Sequence, residues 1–196
     1  MNAPAREPLA TVEELMALPE EDRFELVAGV LTPKEAARVT HGRAQLALGH
    51  SLYGAYSRRP GGPPERPGGW WFASEVLVQL STTEVRRPDV AGWRRERMPE
   101  APADSPVTLI PDWVCEVVSP TNASNDTITK MRIYREAKVP HYWLIDPTAE
   151  TLTVHRWHPD GYLHVLGARR GERVRAEPFE AVDLQVGVFF GDDEDE

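Results

Sequence analysis

Cysteine occurs once in the sequence, at Cys115, and lysine three times, at Lys34, Lys130 and Lys138, against nineteen arginines. A single cysteine excludes an intrachain disulfide and a cysteine-based zinc site, and it fits a reducing compartment. In its strand-like stretch it reads as a small buried side chain. No apolar run approaches the ~18–20 residues of a membrane span. The N-terminal stretch "MNAPAREPLATVEELMALPE" lacks the charged start and apolar core of a signal peptide, so a cytoplasmic protein is expected. A glycine-rich nucleotide loop, a nucleophile elbow and an internal repeat are also missing. His50, His141, His155, His158 and His164 show no zinc-ligand spacing.

The net charge of −9 speaks against a simple polyanion binder, but the charge is unevenly spread. The terminal "DDEDE" alone supplies −5 and reads as a solvated, disordered tail over 191–196. Between Arg58 and Arg97 eight arginines face five acids, a local balance of +3. Such a segment is either a phosphate-facing patch or a scatter of solubilising arginines. With 196 residues, 41% of them hydrophobic, the chain is long enough for one core, and 1–190 is expected to form a single domain.

Thr11 and Glu14 form the signature of a capping box ahead of an apolar face of Leu15, Met16 and Leu18, which Pro19 ends. "RFELVAGVL" reads as a strand turning at Gly29, and the stretch from Thr40 to Arg59 as a helix with Leu46, Leu48, Leu52 and Tyr56 on its apolar side. Prolines and glycines make Arg59 to Gly69 a loop. Strands are predicted at "WWFASEVLVQL", "VRRPDVAGW", "DWVCEVV", "HYWLID" and "TLTVHRW", with short ones at "YLHVLG" and "VRAEPF". Between the third and fourth lies a helix expected to pack through Ile128, Met131 and Tyr134. One crossover helix among otherwise sequential strands indicates a mixed sheet in an α/β or α+β layer fold.

Two of these strands carry a carboxylate where burial is expected, Asp89 and, twenty-seven positions on, Glu116. An ionised carboxylate costs several kcal/mol to bury unless something positive compensates it. Side chains alternate along a strand, so Glu116 and Val118 share one face, and a paired "RRPDVAGW" brings Asp89 to that face. Two such carboxylates with backbone carbonyls and water suit Mg²⁺. The alternative is pairing with arginine, and Arg86 and Arg87 are close in sequence. Asp112 and Asp146 read as cap and turn residues.

"ELVAGVL", His41 at the start of the next helix, "RPDVAGW" and the block "PDWVCEVVSPTNASNDTITKMRIYREAKVPHYWLIDP" together resemble the Uma-type family of restriction endonucleases, in the PD-(D/E)XK nuclease superfamily. The resemblance spans about Thr11 to Phe190. It implies a restriction-endonuclease-like mixed sheet flanked by helices, with additional antiparallel strands toward the C-terminal end. It implies hydrolysis of DNA phosphodiester bonds with Mg²⁺, or Mn²⁺ as substitute, held by Asp89, Glu116 and the Val117 carbonyl. The superfamily lysine, two residues after the second acid, is here Val118, and by the resemblance Lys130 on the following helix supplies it; a surface pair between Lys130 and Asp126 is the bland alternative. Glu25 matches the family's N-terminal glutamate, a further ligand or an orienter of bound water, and Glu75 is a weaker ligand candidate. His41, Arg86 and Arg87 are the expected nucleic-acid contacts. Cutting both strands of a duplex suggests a homodimer. A nuclease-like fold that binds nucleic acid or a protein with little or no cleavage is the competing reading, as is a metal-independent structural protein with salt-bridged carboxylates.

Overall fold

The Thr11 hydroxyl accepts from the Glu14 N–H, and the Glu14 carboxylate accepts from the Thr11 N–H. This reciprocal cap starts α1 (Val12–Met16) as the sequence predicts. The computed structural model describes residues 8–36, 38–119 and 123–194, the side chains of 123–127 excepted. After α1, β1 (Phe24–Val27) and β2 (Val30–Pro33) form a hairpin through Ala28 and Gly29, with φ of 50° and 76°. A two-residue turn of this hand needs positive φ at both positions, and at Gly29 a Cβ would also fall 2.8 Å from Leu9 Cβ.

The hairpin belongs to a four-stranded antiparallel sheet with β4 (Val78–Gln79) and β5 (Val85–Arg86), in the order β2-β1-β5-β4. The larger sheet has six strands. They are β3 (Trp70–Ala73), β6 (Val90–Arg94), β7 (Trp113–Val117), β8 (His141–Asp146), β9 (Thr151–His158) and β10 (Gly161–Arg169), in the order β10-β9-β8-β7-β6-β3. Its single parallel pair, β7 with β8, is joined by the crossover helix α3 (Ala123–Glu136), and its other neighbours are antiparallel. The expected mixed α+β architecture is therefore present, with the β9–β10 hairpin on the C-terminal side. β11 (Arg173–Val174) and β12 (Leu184–Gln185) form a small separate ribbon.

Alternation along β7 decides what each face meets. Trp113, Cys115 and Val117 pack with Ala44, Leu48 and Leu52 of α2 (Val39–Tyr56), whereas Val114 lies in a second core with Tyr134 of α3 and Tyr142. Glu116 shares the face of Val114 and so faces α3.

Several expected elements differ in detail. "VRRPDVAGW" is not one strand: it breaks at Pro88, which has no N–H to donate, so β5 and β6 join different sheets. "WWFASEVLVQL" breaks at Glu75, whose φ is 59°. Leu46 and Ile128 are exposed. Leu46 lies two residues from both Ala44 and Leu48, which is the opposite side of a helix, and a repeat of three drifts by about 60° per step, carrying Ile128 off the Tyr134 face. Of the acidic terminus, Asp192 pairs with Arg170 and the exposed Glu194 Oε1 lies 3.0 Å from His50 Nε2; residues 195 and 196 lie outside the described residues.

Candidate functional site

The break at Pro88 leaves Asp89 at the open end of β6. The β6–β7 register, Val90 opposite Cys115, sets Asp89 beside Glu116 when it is continued by one residue. Both carboxylates are buried, Asp89 at 0% and Glu116 at 2% exposure. Asp89 borders a cleft of about 340 Å³ whose wall also includes Glu25, Lys34, His41, Glu75 and Lys130, while Glu116 lies behind the Lys130 side chain.

Asp89 is compensated from three directions. Its Oδ2 accepts from the Val117 N–H at 2.7 Å, and its Oδ1 accepts from Lys34 Nζ at 2.9 Å. His41 Nε2, from the first turn of α2, stands 3.0 Å from Oδ2 but out of line for a hydrogen bond. Burial alone would raise the Asp89 carboxyl; the His41 ring and the Lys34 charge outweigh it and hold the group well below the usual carboxylate range. Glu116 has donors on both oxygens: Lys130 Nζ at 3.0 Å from Oε2 and Tyr134 Oη at 2.6 Å from Oε1. Even so, burial and the neighbouring Asp89 charge push it up to about 7, against the opposing pull of Lys130 and Lys34. Two adjacent carboxyls are thus driven apart in acidity, the pattern by which one site keeps one acid ionised and the other titratable.

Glu116→Gln exposes this asymmetry. A carboxyl raised on folding contributes stability below its ordinary pKa and loses it as pH rises through the folded value. The metal-free Glu116→Gln protein is therefore expected to melt higher than the parent at about pH 8 and nearly with it at about pH 5. A constant difference between the two proteins across that window would count against a buried, net destabilising Glu116 charge.

The structure brings Asp89, Glu116, Lys130 and His41 together as the sequence suggests, but it changes other roles. Glu25 Oε1 accepts from the Arg87 N–H at 2.6 Å and Oε2 lies 3.6 Å from Arg86, so this carboxylate braces the strand leading to Asp89. Arg86 and Arg87 are buried. Arg86 faces Glu25 and Glu84, and Arg87 Nη1 donates to the Glu75 carbonyl at 2.9 Å. The expected pair of phosphate-facing arginines is therefore internal. Asp126, the alternative partner of Lys130, lies outside the residues whose side chains are described. Asp146 caps a turn, accepting from the N–H groups of Thr148 and Ala149.

Four residues of the site escape sequence reasoning. Lys34 Nζ bridges Asp89 to Glu75, whose Oε2 it meets at 2.7 Å. Gln45 Nε2 donates to Glu75 Oε1 at 3.0 Å. Arg23 reaches Glu75 at 2.8 Å. Tyr134 was expected only to pack, yet its hydroxyl holds Glu116. A signal existed for two of them, since Lys130 with Tyr134 and His41 with Gln45 are i, i+4 pairs that share a helix face.

The donor set fits a hard divalent ion. The carboxylates of Asp89 and Glu75 offer oxygens, and His41 Nε2 is a buried ring nitrogen with no aligned hydrogen-bond partner. One ligand atom each from His41, Glu75 and Asp89 lies within 4.8 Å of the others.

The family model described as Uma2, putative restriction endonuclease, matches residues 12–188. Among solved structures, a putative nuclease belonging to DUF820 from Anabaena variabilis is similar at 19% identity, covering 92% of this chain and 97% of its own, with a TM-score of 0.73. At that identity the likeness is one of fold. A search of curated proteins finds no match.

Proposed function

The chain belongs to the Uma2 family of putative restriction endonucleases, and from that premise we propose that it is a metal-dependent endonuclease hydrolysing DNA phosphodiester bonds at the Asp89–Glu116 cleft. The observation that supports this most is Lys130, whose ammonium lies 3.0 Å from Glu116 although it comes from α3 and not from the strand position held by Val118. Asp89, Glu116 and the Val117 carbonyl would hold Mg²⁺, or Mn²⁺ in its place. Bound there, the ion would lower the pKa of a water nucleophile and offset charge on a non-bridging phosphate oxygen.

The chain's own groups have separate tasks. Tyr134 and Lys130 fix Glu116 by one donor on each oxygen, so that its carboxylate is presented in one orientation. The Lys130 ammonium stabilises the negative charge that grows on the phosphate oxygens during attack. The Val117 N–H, held by Asp89 Oδ2, locks the two strand ends together. Glu25 acts one step removed, positioning Arg87 and hence Asp89. His41 serves Asp89 and not a distant phosphate, and Arg38, exposed on the cleft wall, takes over the phosphate contact assigned to the internal arginines.

Residues 1–190 act as one domain in this reading, two copies supply the two cuts of a duplex, and a cytoplasmic setting suits a nuclease of host or foreign DNA. Among the described residues no helix is long and apolar enough to cross a membrane. Incubation with supercoiled plasmid and Mg²⁺ or Mn²⁺ is expected to give nicked and linear forms, suppressed by chelation and by Asp89→Asn. One feature favours the second reading, a binding module: Lys34 and Lys130 already compensate both carboxylates. A protein that binds duplex and Mn²⁺ but leaves the plasmid intact would establish that reading instead.

A further inference from the structure

Lys34 is not used by the reaction outlined above, yet it is among the most constrained side chains in the cleft. Its side chain is only 11% exposed, and Nζ lies 2.6 Å from the Arg87 carbonyl, 2.7 Å from Glu75 Oε2 and 2.9 Å from Asp89 Oδ1. An ammonium has three N–H donors, and here each has an oxygen. This is the environment a hard divalent ion seeks, a carbonyl and two carboxylates.

The occupancy of Asp89 sharpens the point. Oδ2 is committed to the Val117 N–H and crowded by His41, which leaves Oδ1 as the oxygen to offer, and Lys34 is on it. A divalent cation at Oδ1 would face an ammonium a few ångströms away in a buried site, where like charges repel strongly.

We propose that Lys34 is a built-in counter-cation of the Glu75–Asp89 cluster, and that a divalent ion loads by exchange with its ammonium. This rests on the reading of Asp89 as a metal ligand. Lys34 follows the last residue of β2, and its backbone N–H stays on the Arg23 carbonyl at 2.9 Å. Exchange therefore needs only the flexible four-carbon stem to swing into the open cleft. Departure of the ammonium relieves Glu75 of one of three partners, with Arg23 and Gln45 still holding it beside Asp89 and His41 as a further ligand. Two consequences follow: the acidic cluster is folded and neutralised without metal, and divalent affinity is set by competition with an internal cation.

Lys34→Met keeps the stem and removes the charge. In the full chain its metal-free melting temperature is expected to fall. Its Mn²⁺ affinity by titration calorimetry should rise at least ~10-fold, with a larger Mn²⁺-induced gain in melting temperature than the parent shows. Lys34→Gln, which retains donors without charge, serves the same comparison if the methionine variant fails to fold. A purely structural lysine would lower the melting temperature with no gain in Mn²⁺ affinity. Unchanged or weaker affinity, with parental binding that depends on Asp89, overturns the exchange and leaves the metal site standing. Absence of Mn²⁺ binding in the parent and both variants removes the metal site and the exchange together.

Discussion

Lys130→Met is expected to lower cleavage of plasmid DNA by at least ~100-fold while changing stability by less than ~1 kcal/mol. Its ammonium sits in the cleft against Glu116, where charge develops in the reaction, and methionine preserves the apolar stem that crosses the α3 surface. Stability is spared because Glu116 is already raised to about 7 and becomes neutral when the ammonium goes, with Tyr134 still on its other oxygen. Mn²⁺ affinity should persist or rise slightly, since a like charge has been removed from the site. The comparison is made by initial rates of nicking beside calorimetric titration. Parental cleavage by this variant would refute the migrated-lysine mechanism and turn attention to Lys34.

Asp89→Ala should both abolish Mn²⁺ binding and destabilise the metal-free protein by ~3–5 kcal/mol. Alanine leaves the buried Val117 N–H without an acceptor and deprives the Lys34 ammonium of one of its two carboxylates. Asp89→Asn, which still offers an oxygen to Val117, should lose the metal at a smaller cost in stability. Urea denaturation of both variants separates the two effects. The sign is opposite to that of Glu116→Gln: Asp89, held low, stabilises above the ordinary aspartate pKa and loses that contribution only in strong acid, whereas Glu116, held high, is a net cost when charged. A loss below ~1 kcal/mol for Asp89→Ala would show that neither contact holds the fold.

The sequence makes the local part of this site readable. Alternation along Trp113–Val117 correctly turns Glu116 away from Cys115, and the Thr11–Glu14 pair marks its helix start. What it hides is set by pairing between distant segments. Lys34 and Glu75 are 41 positions apart, and only the β1–β5 register, Leu26 opposite Val85, sets Glu25 across from Arg86 and within reach of the Arg87 N–H. The local excess of arginine between Arg58 and Arg97 points those arginines at phosphate. Leu46 and Ile128 mislead for another reason: a few apolar residues fit several helix faces, and only the packing partner selects one. The partner of Asp192 is equally out of reach of composition, since Arg170 lies far from it in sequence.

Anomalous diffraction from a crystal soaked in Mn²⁺ tests the central claim most directly. The account predicts a peak bounded by the Asp89 and Glu116 carboxylates, with the Lys34 ammonium withdrawn from between Glu75 and Asp89. Saturating Mn²⁺ that leaves no peak there, with Lys34 and Lys130 still seated on Asp89 and Glu116, would contradict it.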